Sequence, residues 1–125
     1  MPRKRARAAS LGAAAHIQIR IHGALGVALG PGRAELLEHI AETGSIREAA
    51  RRMAMSYNRA WTLVHSTNES FASPLVTARR GGDRRGGAAL TAEGRRLLRL
   101  YRSMEAAATR AVSARAARIQ QQLKA

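Results

Sequence analysis

Between Gly44 and Leu63 the sequence reads GSIREAARRMAMSYNRAWTL, and the placement of its caps leaves few ways to fold. The Ser45 hydroxyl can accept a first-turn N–H that lacks a partner, and Glu48, three residues on, completes a capping box. Ile46, Ala49, Ala50 and Met53 follow at helical spacing, and the paired alanines let a second helix cross closely. After Ala54 and Met55, Ser56 caps another helix in which Ala60, Leu63 and Val64 face inward. Tyr57, Asn58, Arg59 and Thr62 are left facing outward in its first turns. Trp61, beside Ala60 and one turn before Val64, is expected in the core, while Tyr57 is divided between packing and a surface contact.

Two helices joined by so tight a turn predict a helix-turn-helix. Its polar second helix suits the edge of a DNA major groove. Any capped helix pair in a small helical domain could share this pattern, so charge becomes the deciding property. Lysine and arginine number 22 against 8 acids, a formal +14 that draws the chain towards polyanions, nucleic acid first and anionic membrane second.

With 125 residues the chain can bury one modest core. It has no cysteine, which removes disulfides and thiolate metal sites, and His16, His22, His39 and His65 show no ligand spacing. No metal and no cofactor are expected. No carboxylate pair, Ser/His/Asp order or cysteine nucleophile is evident, so the chain is not expected to be an enzyme. No apolar run reaches the roughly 20 residues of a membrane span, and the basic start lacks the apolar centre of a signal peptide. The start is rich in Arg, Ala and Ser with no acid before Glu35, as in a transit peptide, but alternation from Ile17 onward argues for structure. A cytoplasmic location is expected.

Residues 1–15, with Arg3, Lys4, Arg5 and Arg7, read as a basic flexible arm. HIQIRI, residues 16–21, alternates as a half-buried strand, and Val27 to Leu29 form a second short strand after a glycine-rich turn. A helix begins near Pro31 and runs to about Thr43, with Leu36, Leu37 and Ile40 inward and Glu35, Glu38 and Glu42 outward; Gly44 stops it. The second helix of the central pair spans residues 56–70 and ends before Phe71 and Pro74. PLVTARR, GGDRRGG and AALT then predict a β-hairpin with a basic, glycine-rich tip. Arg79, Arg80, Arg84 and Arg85 on this wing are placed for phosphates or the minor groove. The tip lacks the lysine of a phosphate loop.

From Thr91 a last helix is predicted to about Gln122, on the order of 45 Å long. Its stripe of Leu97, Tyr101, Met104, Ala108, Val112 and Ile119 outlasts a small domain, which predicts dimerisation with a second copy. The resulting fold class is mainly α with a small β wing, a winged helix-turn-helix with a long C-terminal dimerisation helix. Its divisions are residues 1–15, 16–91 and 92–125.

Over residues 30–101 the segments GPGRAELLEHIAETGSIREAARRMAMSYNRAW and PLVTARRGGDRRGGAALTAEGRRLLRLY resemble the N-terminal domain of the ModE type of molybdate-responsive regulator, whose helix-turn-helix is LysR-like. Tyr57 and Trp61 favour that type over LysR proteins generally. The resemblance implies a homodimeric, sequence-specific regulator that binds double-stranded DNA. Ser56, Tyr57, Asn58, Arg59 and Thr62 would meet the duplex, and Arg80, Arg84 and Arg85 the phosphates. Ala54 stands where such turns often have glycine. The chain ends at Ala125, so the oxyanion-binding domains common in that family are expected to be absent and molybdate sensing does not carry over. Two other readings stay open: a non-specific nucleoid protein that uses charge alone, and an oxyanion-sensing module.

Overall fold

The computed structural model describes residues 16–79 and 87–124. The basic arm, residues 1–15, and the wing tip with Arg80, Arg84 and Arg85 lie outside the described residues. Residues Ile19–Tyr101 form one compact unit, and a second unit takes up the chain from Arg102.

The first unit opens with a short antiparallel hairpin, β1 (Ile21–Gly23) against β2 (Gly26–Leu29). Residues 16–20 are not a strand, contrary to the alternation read from HIQIRI. Ile21 pairs with Leu29, so any earlier residue would need a partner at Gly30 or Pro31, where the next helix begins and the proline has no N–H to offer. The Ile19 carbonyl accepts instead from the Tyr101 hydroxyl at 2.6 Å.

Helix α1 (Pro31–Thr43) buries Ala34, Leu36, Leu37 and Ile40. It ends at Gly44, whose φ of 72° is left-handed and whose N–H returns to the Ile40 carbonyl. Helix α2 (Ile46–Arg52) starts at Ser45, whose Oγ accepts the Glu48 N–H at 3.0 Å. The capping box is only half formed. The Ser45 N–H goes to Thr43 Oγ1 at 3.2 Å, which leaves the Glu48 carboxylate to pair with Arg51 at 2.6 Å.

The turn out of α2 is a Schellman motif centred on Ala54 at φ 56°: the Met55 N–H reaches Ala50 O at 3.0 Å, and the Ala54 N–H reaches Arg51 O at 3.1 Å. Helix α3 (Tyr57–Ser70) follows, capped by Ser56 Oγ on the Arg59 N–H at 3.0 Å. Ala49 and Ala50 of α2 and Ala60 of α3 are buried, the small residues that allow close crossing.

The wing pairs β3 (Val76–Arg79) with β4 (Gly87–Leu90) in register Val76↔Leu90 to Arg79↔Gly87. A bridge between Ser45 and Gly87, with the Ala88 N–H on Gly44 O at 2.9 Å, fastens β4 to the α1–α2 corner. Helix α4 (Ala92–Gln120) is capped by Thr91, which accepts the Gly94 N–H at 2.9 Å and donates to Pro74 O at 2.8 Å. Leu98 and Tyr101 of α4 are buried with Leu36, Leu37, Ile40 and Leu75 in one core. In the second unit, Arg102 and Glu105 pair at 2.8 Å, while Met104 is 37% and Ile119 68% exposed.

Candidate nucleic-acid interface

Ala60, Val64 and Thr67 are the buried stripe of α3. At 100° per residue the opposite side of the helix carries Asn58, Thr62, His65 and Glu69, all of them exposed. Tyr57, 37% exposed, and Arg59 flank that face. The N-terminal turn with its Ser56 cap presents helix N–H groups and the positive end of the helix dipole, a setting that favours an anionic phosphate.

Trp61 is not a core residue. It is 44% exposed because it lies about 100° round the helix from Ala60, outside the narrow buried stripe. Its indole stacks on His65, ring centroids 3.5 Å apart at 23°. Tyr57 is covered on one side by Arg47, whose guanidinium carbon sits 4.4 Å from the ring centroid, a cation–π contact between α2 and α3.

Arg51 and Arg52 are paired, with Glu48 at 2.6 Å and Glu42 at 2.7 Å. Arg47, Arg59 and Arg79 have no carboxylate partner among the described residues. Arg79 on β3 lays its guanidinium over Gly44; a Cβ there would fall 2.5 Å from Nη2, so the glycine leaves room for the arginine as well as supplying the left-handed turn.

Two residues hold α3 in place that the sequence pattern did not mark. Arg33 of α1 donates from Nη1 to Leu63 O at 3.1 Å, Ser66 Oγ at 2.7 Å and Thr67 Oγ1 at 2.8 Å. Burial, with the Arg59 charge nearby, draws the Arg33 pKa below the usual guanidinium value. Asn68 accepts the N–H groups of Leu75 and Val76 on Oδ1 at 2.8 and 3.1 Å, and donates from Nδ2 to Val76 O at 2.9 Å. Helix α3 and the wing strand β3 are therefore bolted together through one amide. The helical period from Asn58 brings His65 to the same exposed face as Thr62, although His65 is not among the residues expected there from the sequence.

Of the residues expected to dimerise, Tyr101 is 1% exposed and belongs to the chain's own core, because its hydroxyl is held by Ile19 O. Leu97 is partly buried against that same core. Met104 and Ile119 are exposed, and Ala108 and Val112 are half-buried.

A capped helix pair, a two-stranded wing and an outward polar helix face define a winged helix-turn-helix domain. The profile described as "Bacterial regulatory helix-turn-helix protein, lysR family" matches residues 32–95, and the chain belongs to that family, one of regulators and not of enzymes. Among curated relatives, the molybdenum-pterin-binding protein MopB of Rhodobacter capsulatus is 42% identical over 88 residues, 70% of this chain and 33% of that protein. The molybdenum transport protein ModE of Azotobacter vinelandii is 41% identical over 81 residues, 65% of this chain and 30% of its own length. The Escherichia coli K12 protein described as the DNA-binding transcriptional dual regulator ModE is 42% identical over 71 residues, 57% of this chain and 27% of that one. The chain thus spans a third or less of the length of these relatives. Among solved structures, the CbnR DNA-binding domain in its DNA complex is similar in fold, with a TM-score of 0.51 at 22% identity over 64% of this chain and 86% of that one. No helix among the described residues is long and apolar enough to cross a membrane.

Proposed function

We propose that this chain is a sequence-specific, double-stranded-DNA-binding transcriptional regulator of the ModE type, acting as a homodimer on cytoplasmic, nucleoid DNA. The observation that carries the reading is the outward face of α3, where Asn58, Arg59 and Thr62 stand exposed beside a capped, cationic helix start. In this reading α3 lies in the major groove. Asn58 pairs with an adenine edge, Arg59 takes a guanine or a phosphate, and Ser56, Tyr57 and Thr62 fix the register on the backbone.

Arg79, with Arg80, Arg84 and Arg85 of the wing, reaches the phosphates or the minor groove. The division into arm (1–15), reading domain (16–91) and dimerising helix (92–125) belongs to the same proposal, with Leu97, Met104, Ala108, Val112 and Ile119 on the dimer face. The E. coli relative's description as a DNA-binding transcriptional regulator supports the function. Molybdenum enters only through the names of the relatives, and no residue here is assigned to it.

Selection of bound duplexes from a random pool, at low and moderate salt, tests the reading. An enriched inverted repeat that persists as salt rises is expected. Binding that enriches no motif and collapses uniformly with salt would instead identify a charge-driven, non-specific binder.

A further inference from the structure

We infer that Trp61 and His65 form a second, pre-built base-reading contact one helical turn beyond Thr62 and two beyond Asn58, with His65 Nε2 accepting a hydrogen bond from the exocyclic amine of an adenine or a cytosine. The inference rests on the reading of α3 as the groove-facing helix. His65 Nδ1 lies 3.0 Å from the Trp61 carbonyl oxygen. A carbonyl can only accept, so the contact selects the tautomer protonated at Nδ1, in which the lone pair lies on Nε2. That nitrogen has no hydrogen-bond partner among the described residues, and the side chain is exposed.

The indole stacked at 3.5 Å fixes the ring plane, so little rotamer freedom remains to be lost on binding. An acceptor in the major groove meets the amino groups at adenine N6 and cytosine N4 and is repelled by guanine O6 and N7 and by thymine O4. His65 follows Asn58 by seven residues, about 10 Å along the helix and so roughly three base steps. Glu69, the next residue on the stripe, is exposed and anionic, which ends the stretch that can lie among phosphates. His65 is thus the last reading position, and Trp61 is the positioning residue that holds it.

The test is pool selection with the full chain and its variants His65→Ala, Trp61→Ala and Trp61→Phe, each first shown by circular dichroism to melt as the unaltered chain does. The unaltered chain is expected to prefer A or C at one position about three steps from the one that Asn58→Ala erases. His65→Ala should flatten that position alone and weaken the best duplex roughly tenfold, within the range for one base contact. Trp61→Ala should flatten the same position and Trp61→Phe should restore it, since a phenyl ring still stacks. A His65→Ala motif identical to that of the unaltered chain, or a loss spread evenly over all positions, would overturn the pair while leaving the regulator reading intact. An unaltered chain that enriches no motif would overturn that reading, and this inference with it.

Discussion

Asn68 commits both the oxygen and the nitrogen of its amide to backbone, and its partners Leu75 and Val76 are buried. Truncation to alanine strands two N–H groups and one carbonyl, so Asn68→Ala is expected to cost about 2–3 kcal/mol, read as a lower urea midpoint at unchanged slope. Asn68→Asp separates the two halves of the contact. The carboxylate still accepts from both N–H groups but faces the Val76 carbonyl with no donor, so it should unfold at a midpoint between the parent and the alanine variant. Ala54 carries the opposite kind of defect, a side chain where the turn wants none: at φ 56° a Cβ costs about 1–2 kcal/mol, and glycine's extra unfolded-state entropy returns part of that. Ala54→Gly should stabilise by up to about 1 kcal/mol, seen as a melting temperature a few degrees higher with the DNA motif unchanged.

Each helix of the first unit owes its position to a contact at its end. Thr91 and Gly94 begin α4 directly against the backbone of β3's approach: a Cβ on Gly94 would land on the Leu75 carbonyl oxygen, and Leu75 is fully buried with no room to retreat. Gly94→Ala is therefore expected to destabilise by about 3 kcal/mol and to lower DNA affinity in step with the folded fraction, not beyond it, in a thermal melt run beside a binding titration. Much of this skeleton was legible in the sequence because its signals are local. Ser45, Ser56 and Thr91 announce helix starts within three residues of the N–H they accept, and Gly44 and Ala54 sit one and two steps past a helix end. What was not legible depends on groups far apart in the chain. Arg33 bonds residues 30 or more positions away, Tyr101 finds its acceptor 82 residues back, and neither partner can be read from a window of sequence. Trp61 failed for a different reason, since hydrophobicity suggested burial where the angle about the helix denied it.

For the whole molecule, binding strength and assembly make separate demands. If Arg59 reads guanine, Arg59→Ala should erase one position of the motif and leave the slope of log affinity against log salt unchanged; if it holds a phosphate, the slope should fall by about one and the motif should persist. The proposed dimer places the exposed apolar residues of the second unit, Met104 at 37% and Ile119 at 68%, on its face. Charges on that stripe would have to be desolvated in a dimer and would be solvated in a monomer, so the double variant Met104→Glu, Ile119→Glu is expected to sediment as a monomer at concentrations where the unaltered chain is a dimer. Both changes lie outside the unit that carries α3, so affinity for a duplex with one half-site should stay as it was. Affinity for the inverted repeat should drop about 10²- to 10⁴-fold, because the second recognition helix no longer arrives at the high effective concentration that linkage to the first provides. A double variant that keeps the dimer mass and the full inverted-repeat affinity would move the dimer face away from this stripe. A variant that loses half-site affinity as well would mean that the two units share the work of binding.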